Sequence, residues 1–247
     1  MKQWVVSLVI ILALTAKADV FSFAIDDFPP FVDRNAKGYG LGPRIVSAAL
    51  ATQSHEANFL FVPWPRAYRM AEEGQIDGTF PWTDQGDRRE HFALSVPVFE
   101  HTFSLVFAPG QERDWQQFDD LDGLKFGNVV GYQIGIDFYQ WIERTGQSLE
   151  IVNSEELLFR MLAYGRFDVA AFDQVAARAY INDLQADVPT AADLVIQDHT
   201  IEQSNTVVLM PLHSSRTDRL QDALAKGLAT IRANGTYADI MADNASD

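Results

Sequence analysis

The chain has 247 residues, 47% of them apolar, enough to build a core, which excludes a disordered tail or a collagen-like repeat. Acids outnumber bases 34 to 19, and the net charge of −15 repels phosphate backbones and argues against nucleic-acid binding. There is no cysteine, so thiol catalysis, disulfides and Cys-based zinc sites are excluded.

Residues 1–18 read as a secretory signal peptide. Lys2 supplies the positive start, residues 4–14 are apolar except for Ser7, and Ala16-Lys17-Ala18 places small residues where a signal peptidase needs them. The run is short against the ~20 residues of a bilayer-spanning helix. Cleavage before Asp19 removes Lys2 and Lys17 and no acid, leaving the exported chain more acidic still. No cysteine follows for lipid attachment. An exported, acidic chain without disulfides fits a bacterial periplasm.

Residues 20–25 form a short apolar, aromatic run that predicts a buried strand. Pro29 and Pro30 end it, since proline cannot continue a ladder. Gly38, Gly40 and Gly42 mark a loop, and Pro43 opens a helix with Ile45, Val46, Ala49 and Leu50 on one face. A second strand is predicted over 59–62, a helix from Pro65 to a cap near Gly74, and a third strand over 77–82. This strand–helix alternation predicts an α/β lobe. A strand over 103–108 follows, and the pattern then restarts. Strands are predicted at 124–130, 149–152 and 167–172, with helices at 136–144, 154–164 and 173–184. Residues 207–210 read as a last strand. Residues 215–233 read as a last helix, with Leu220, Leu224, Leu228 and Ile231 as its apolar stripe. The loose repetition of an α/β half predicts two lobes with a cleft between them.

The residues also exclude several chemistries. His55, His91, His101, His199 and His213 are scattered without the spacing of a zinc site. Gly38-Tyr39-Gly40-Leu41-Gly42 lacks the Lys-Ser/Thr of a phosphate loop and the full dinucleotide fingerprint. No G-x-S-x-G nucleophile elbow occurs. No cofactor is expected.

Six segments, in order, resemble the periplasmic solute-binding proteins of the polar amino-acid type, family 3, as a divergent subgroup. These are Phe28-Pro29-Pro30-Phe31; Gly74-Gln75-Ile76-Asp77; Asp87-Arg88 with Leu94-Ser95-Val96-Pro97; Leu121-Asp122-Gly123-Leu124; Gly165-Arg166-Phe167-Asp168 with Phe172-Asp173; and Asn234-Gly235-Thr236-Tyr237. The resemblance implies the type II binding-protein fold, two α/β lobes joined by two hinge strands that close over a ligand cleft. It implies a first lobe at 19–101 plus 199–247 and a second at 102–198.

The site residues follow from the same resemblance. Arg88 matches the family's carboxylate-binding arginine, a role suited to a planar guanidinium, with Arg89 as the competitor in register. Asp173 matches its ammonium-binding aspartate; as a residue it could equally cap the following helix. Phe28 and Trp64 match the aromatic walls, and Thr83 a hydroxyl position. Tyr132 stands where the family has threonine, with Gln133 a lesser candidate; Trp82 is an addition that narrows the pocket or covers it. Arg66 reads either as a solvated helix-start arginine or as a second cation for an acidic ligand. Asp77 and Asp168 are assigned to turns. The implied function is capture of a small zwitterion or carboxylate, an amino acid first, and delivery to an ABC-transporter permease by a monomeric, non-enzymatic protein. The alternatives are an enzyme on the same scaffold, of the cyclohexadienyl-dehydratase type, or a sensor module. For the enzyme, Glu100 and His101 are the acids near the first hinge.

Overall fold

The computed structural model describes residues 18–84, 86–132 and 136–243, with nothing of the Ile136 side chain. The predicted signal peptide, Ala18 apart, and Gln133 lie outside them. The elements run β1 (Val20–Ile25), α1 (Leu41–Thr52), β2 (Glu56–Phe61), α2 (Trp64–Glu72), β3 (Gly78–Thr83), α3 (Arg88–His91), β4 (Phe92–Leu94) and β5 (Phe99–Phe107). They continue as β6 (Lys125–Val129), α4 (Ile136–Thr145), β7 (Ser148–Val152), α5 (Glu155–Ala163), β8 (Val169–Asp173), α6 (Gln174–Leu184), β9 (Val195–Pro211), α7 (Thr217–Ala233) and α8 (Thr236–Ala242). No helix among the described residues is long and apolar enough to cross a membrane.

The strands form a curled sheet ordered β2-β1-β3-β9-β5-β8-β6-β7, with β4 also on β9. Each end of that order is one α/β lobe. β1 lies between β2 and β3 in parallel, and β6 lies between β7 and β8 in parallel. Helical crossovers join these strands, as parallel neighbours require. The lobes are bridged by β5 and β9, which pair antiparallel from Phe99↔Thr206 to Phe107↔Val195. The register slips between Phe103 and Ser104 and again before Val106, an irregularity that bends a ribbon. Beyond the ribbon, β9 pairs with β3 and β4 of the first lobe.

Both lobes close their third strand with the same device. Gly74 and Gly165 end α2 and α5 at positive φ, where glycine carries no penalty. Three residues on, Asp77 N–H donates to the Ser22 carbonyl and its Oδ2 accepts from Ser22 N at 2.8 Å. Asp168 N–H likewise donates to the Lys125 carbonyl, and its Oδ2 accepts from Lys125 N at 2.8 Å. The two aspartates are therefore clamps at the starts of β1 and β6. Asp77 also accepts from Arg216 Nε at 2.5 Å, which ties α7 to the first lobe.

The core is aromatic. Phe21, Phe23, Phe31 and Phe80 are buried in the first lobe, and Phe126, Phe159, Phe167 and Phe172 in the second. Gly227 of α7 lies against the Ala49 backbone, where a Cβ would stand 2.2 Å from the carbonyl oxygen, so α1 and α7 pack in direct backbone contact.

Three elements exceed what the sequence predicts. β5 starts at Phe99 rather than Phe103, β9 spans 17 residues rather than four, and β4 was not expected. The unforeseen parts are polar ribbon segments and a three-residue strand, neither of which has the apolar run of a core strand.

Candidate functional site

A cavity lies where the first lobe meets the second. It is lined by Phe28, Trp64, Pro81, Trp82, Thr83, Arg88, His101, Phe103, Val130, Gly131 and Tyr132. The sequence-derived candidates Phe28, Trp64, Trp82, Thr83, Arg88 and Tyr132 thus meet at one place. The loop after β1 brings Phe28, the start of α2 brings Trp64, and the end of β3 brings Trp82 and Thr83. The turn after β6 brings Gly131 and Tyr132 from the other lobe. Phe28 packs on Tyr132 and Phe172, with ring centroids at 6.1 and 5.8 Å, so an aromatic contact crosses the cleft.

Arg88 is the dominant charge. It is only 6% exposed, and its Nη1 donates to the Thr83 carbonyl and, at 2.6 Å, to Thr83 Oγ1. Its guanidinium carbon lies 5.1 Å from the Trp82 ring centroid, a cation–π arrangement. Burial pushes its pKa down, opposed by Tyr68, Asp87 and Asp84. None of these acids is an ion-pair partner: Asp84 pairs with Arg89, Asp87 stands 3.7 Å from His91, and among the described residues no carboxylate pairs with Arg88. A buried cation without a counter-ion is costly, and the chemistry that relieves it is an incoming anion. Arg89, by contrast, is exposed.

Trp82 is held edge-on between Trp64 and Tyr68, with centroids at 5.4 Å to each, and its Nε1 donates to Thr79 Oγ1 at 3.1 Å. Trp64 Nε1 is buried and has no acceptor in hydrogen-bond reach, although the Glu155 carboxyl is near enough to feel it.

Asp173 does not line the cavity. It is 1% exposed at the end of β8, and its Oδ1 caps α6 by accepting from Val175 N at 2.9 Å and Ala176 N at 2.8 Å. Its Oδ2 accepts from Thr102 N at 3.2 Å and pairs with His101 Nδ1 at 3.0 Å. His101, 4% exposed, is the cavity residue in front of it, ringed by Phe28, Phe31, Phe99 and Phe103. Arg66 is exposed on α2 and lines none of the cavities described here.

Sequence reasoning placed His101 near the hinge, as an acid for the enzyme alternative, and not among the ligand-binding residues. The signal that could have found it is the alternation of β5, in which Phe99, His101 and Phe103 are buried and Glu100 is exposed.

On the far side of Trp64 and Val130 lies a second cavity of about 420 Å3, bordered by Asp26, Asp27, Asp33, Glu155 and Asp183. Glu155 opens α5 and accepts from the Tyr132 hydroxyl. Burial raises its pKa above the ordinary 4.5, opposed by that hydrogen bond. Burial and the same carboxyl raise the Tyr132 hydroxyl well above its ordinary value. Because the folded Glu155 holds its proton more tightly than the unfolded chain, its contribution to stability is complete below pH 4.5 and is lost as pH rises through the raised value. Glu155→Gln stays neutral and still offers Tyr132 an acceptor. Its melting temperature relative to wild type should therefore climb between about pH 4 and pH 7. Thermal melts across that range check it, and a pH-independent difference would contradict it.

Among the described residues no group of three or more His, Asp or Glu side chains is arranged to hold a metal ion.

The fold recurs in solved structures. An ancestral arginine-binding protein bound to arginine superposes with a TM-score of 0.76 at 20% identity, over 91% of this chain and 97% of that one. A histidine kinase sensor domain with similarity to periplasmic binding proteins gives 0.76 at 20% identity, over 91% and 95%. The ancestral amino acid-binding protein AncCDT-1, a precursor of cyclohexadienyl dehydratase, gives 0.71 at 16% identity, over 91% and 94%. No curated protein matches the sequence. The profile of one family matches residues 22–244, nearly the whole fold, and the chain belongs to the bacterial extracellular solute-binding proteins, family 3.

Proposed function

We propose that this is an exported binding protein that captures a small carboxylate ligand, of the amino-acid type or related to it, and passes it to an ABC-transporter permease. The observation that carries the reading is Arg88, a nearly buried cation without an ion-pair partner among the described residues, set in an aromatic cavity between two lobes. In this reading Arg88 takes the carboxylate in a two-pronged hydrogen bond. Phe28, Trp64, Trp82 and Tyr132 enclose the ligand body, and Thr83 holds the arginine. Lobe one is 19–101 with 199–247 and lobe two is 102–198, and they close as a hinge about β5 and β9. Ligand favours the closed form because only there do both lobes touch it. The protein works as a monomer in the periplasm after loss of residues 1–18, without a cofactor. Arg66, outside the cavity, and the acidic second cavity have no part in holding the carboxylate.

A thermal-shift screen against amino acids, hydroxy acids, dicarboxylates, polyamines and prephenate-like acids tests this. A ligand at a hundred times its dissociation constant stabilises by about 2.7 kcal/mol. Stabilisation by carboxylates without turnover supports binding, and a screen with no responding carboxylate sinks it.

An enzyme on the same scaffold is the second reading, and His101 favours it. It is an ionisable side chain facing the cavity and backed by a carboxylate, the arrangement a general acid needs. Conversion of a prephenate-like acid in the same screen would select it. A sensor role would show as ligand binding without any permease that accepts the loaded protein.

A further inference from the structure

The cavity holds a cation but no free anion. Its polar lining is Thr83, Arg88, His101 and Tyr132, and the rest is aromatic, aliphatic or glycine. The Tyr132 hydroxyl donates to Glu155 and Thr83 Oγ1 accepts from Arg88, and neither is a charged acceptor. Two carboxylates stand behind the wall: Glu155 is bonded to Tyr132, and Asp173 is spent twice over, with Oδ1 on the start of α6 and Oδ2 on His101 and Thr102. A carboxylate at Nδ1 fixes the proton on that nitrogen and leaves Nε2 as the free end of the ring. Nε2 makes no hydrogen bond with the described residues, and the ring lines the cavity.

An α-ammonium group in this space would stand beside Arg88 without a carboxylate to receive it, and a buried charge lacking a partner is expensive. A ligand with a carboxylate and no second charge supplies the one group the cavity lacks. An α-hydroxyl would donate to His101 Nε2 without adding charge, whereas an ammonium making the same bond would bring a second cation beside Arg88 with only a neutral acceptor to receive it. We propose that His101, bonded to Asp173, closes the cavity to α-ammonium groups, so that the ligand is an apolar or aromatic carboxylate with hydroxyl or hydrogen at the α-carbon. The inference rests on Arg88 as the carboxylate anchor.

Calorimetric titration of the exported protein with matched sets tests it. One set is phenylalanine, 3-phenyllactate and 3-phenylpropionate. The other is leucine, 2-hydroxyisocaproate and 4-methylpentanoate, with arginine added alone. In at least one set the hydroxy or unsubstituted acid should bind at least about ten-fold tighter than the amino acid. An amino acid binding as tightly or more tightly, with binding lost in Arg88→Met, overturns the exclusion and leaves the anchor standing. Failure of every carboxylate to bind, or binding that Arg88→Met leaves unchanged, overturns both. In His101→Ala the Asp173 Oδ2 is released toward the cavity, and the amino acid should gain about ten-fold on its hydroxy analogue. An unchanged ratio overturns the role of His101. The wild-type ratios decide the proposal even where that variant does not fold.

Discussion

Arg88→Met should lose carboxylate binding by about 2–5 kcal/mol, the usual consequence of removing one member of a buried charge pair. Calorimetry with the tightest ligand of the screen measures it. The same change should leave the unliganded protein as stable as wild type or more so. Without ligand, the guanidinium is a nearly buried cation stabilised by Thr83 and the Trp82 face and by no ion pair among the described residues. Methionine fills similar volume without needing a counter-charge. The paired signature, affinity down and melting temperature level or up, separates an anchor from a structural arginine, whose removal would lower both. Arg88→Lys keeps the charge and loses the planar fork, so its affinity should fall between the two. Unchanged affinity in Arg88→Met would remove the central assignment.

Asp173→Ala should lower folding stability by about 3–5 kcal/mol, measured as a shift of the denaturation midpoint. The carboxylate takes part in four hydrogen bonds, two from the first turn of α6 and two from β5. Alanine removes the helix cap and leaves the Thr102 N–H and the His101 Nδ1–H buried without an acceptor. Asp173→Asn retains one oxygen for the cap and should recover part of the loss. A side chain that served only the ligand would change affinity and leave the midpoint alone, so a shift below about 1 kcal/mol would contradict the structural role. Asp173 ties β8 and the start of α6 to the connecting strand β5.

The fold was legible where apolar periodicity was strong. The runs at 20–25 and 167–172 and the stripe of α7 correspond to β1, β8 and the helix they predict. The hinge ribbon was legible only in its apolar parts, 103–108 and 207–210; residues 99–102 and 195–206 were missed, because a strand in a connecting ribbon need not bury a continuous face. Gln197, Asp198, His199 and Gln203 carry no apolar signal although they lie in β9. Of the six candidates that meet at the cavity, Phe28 and Arg88 lie in short motifs, and Trp64, Trp82, Thr83 and Tyr132 were placed by their position relative to the resemblance. Asp173 came from such a motif and Arg66 from its place at the start of α2, and neither lines the cavity. For Asp173 the reason is local: a carboxylate one residue before a helix is drawn to its free N–H groups, and a histidine two strand positions from Phe99 fills the space in front of it. That histidine pairs with Ser204 of β9 in the ladder and reaches Asp173 only through its side chain, a relation no local pattern reveals.

The placement of Trp82 has a practical consequence. Its ring sits on the one charge that an incoming anion neutralises, and Trp64 touches it edge-on. The other described tryptophans, Trp115 and Trp141, belong to the core of the opposite lobe. Intrinsic fluorescence is therefore a built-in gauge of occupancy, and a titration needs no attached dye. Trp82→Phe should silence most of the optical response while calorimetric heat persists.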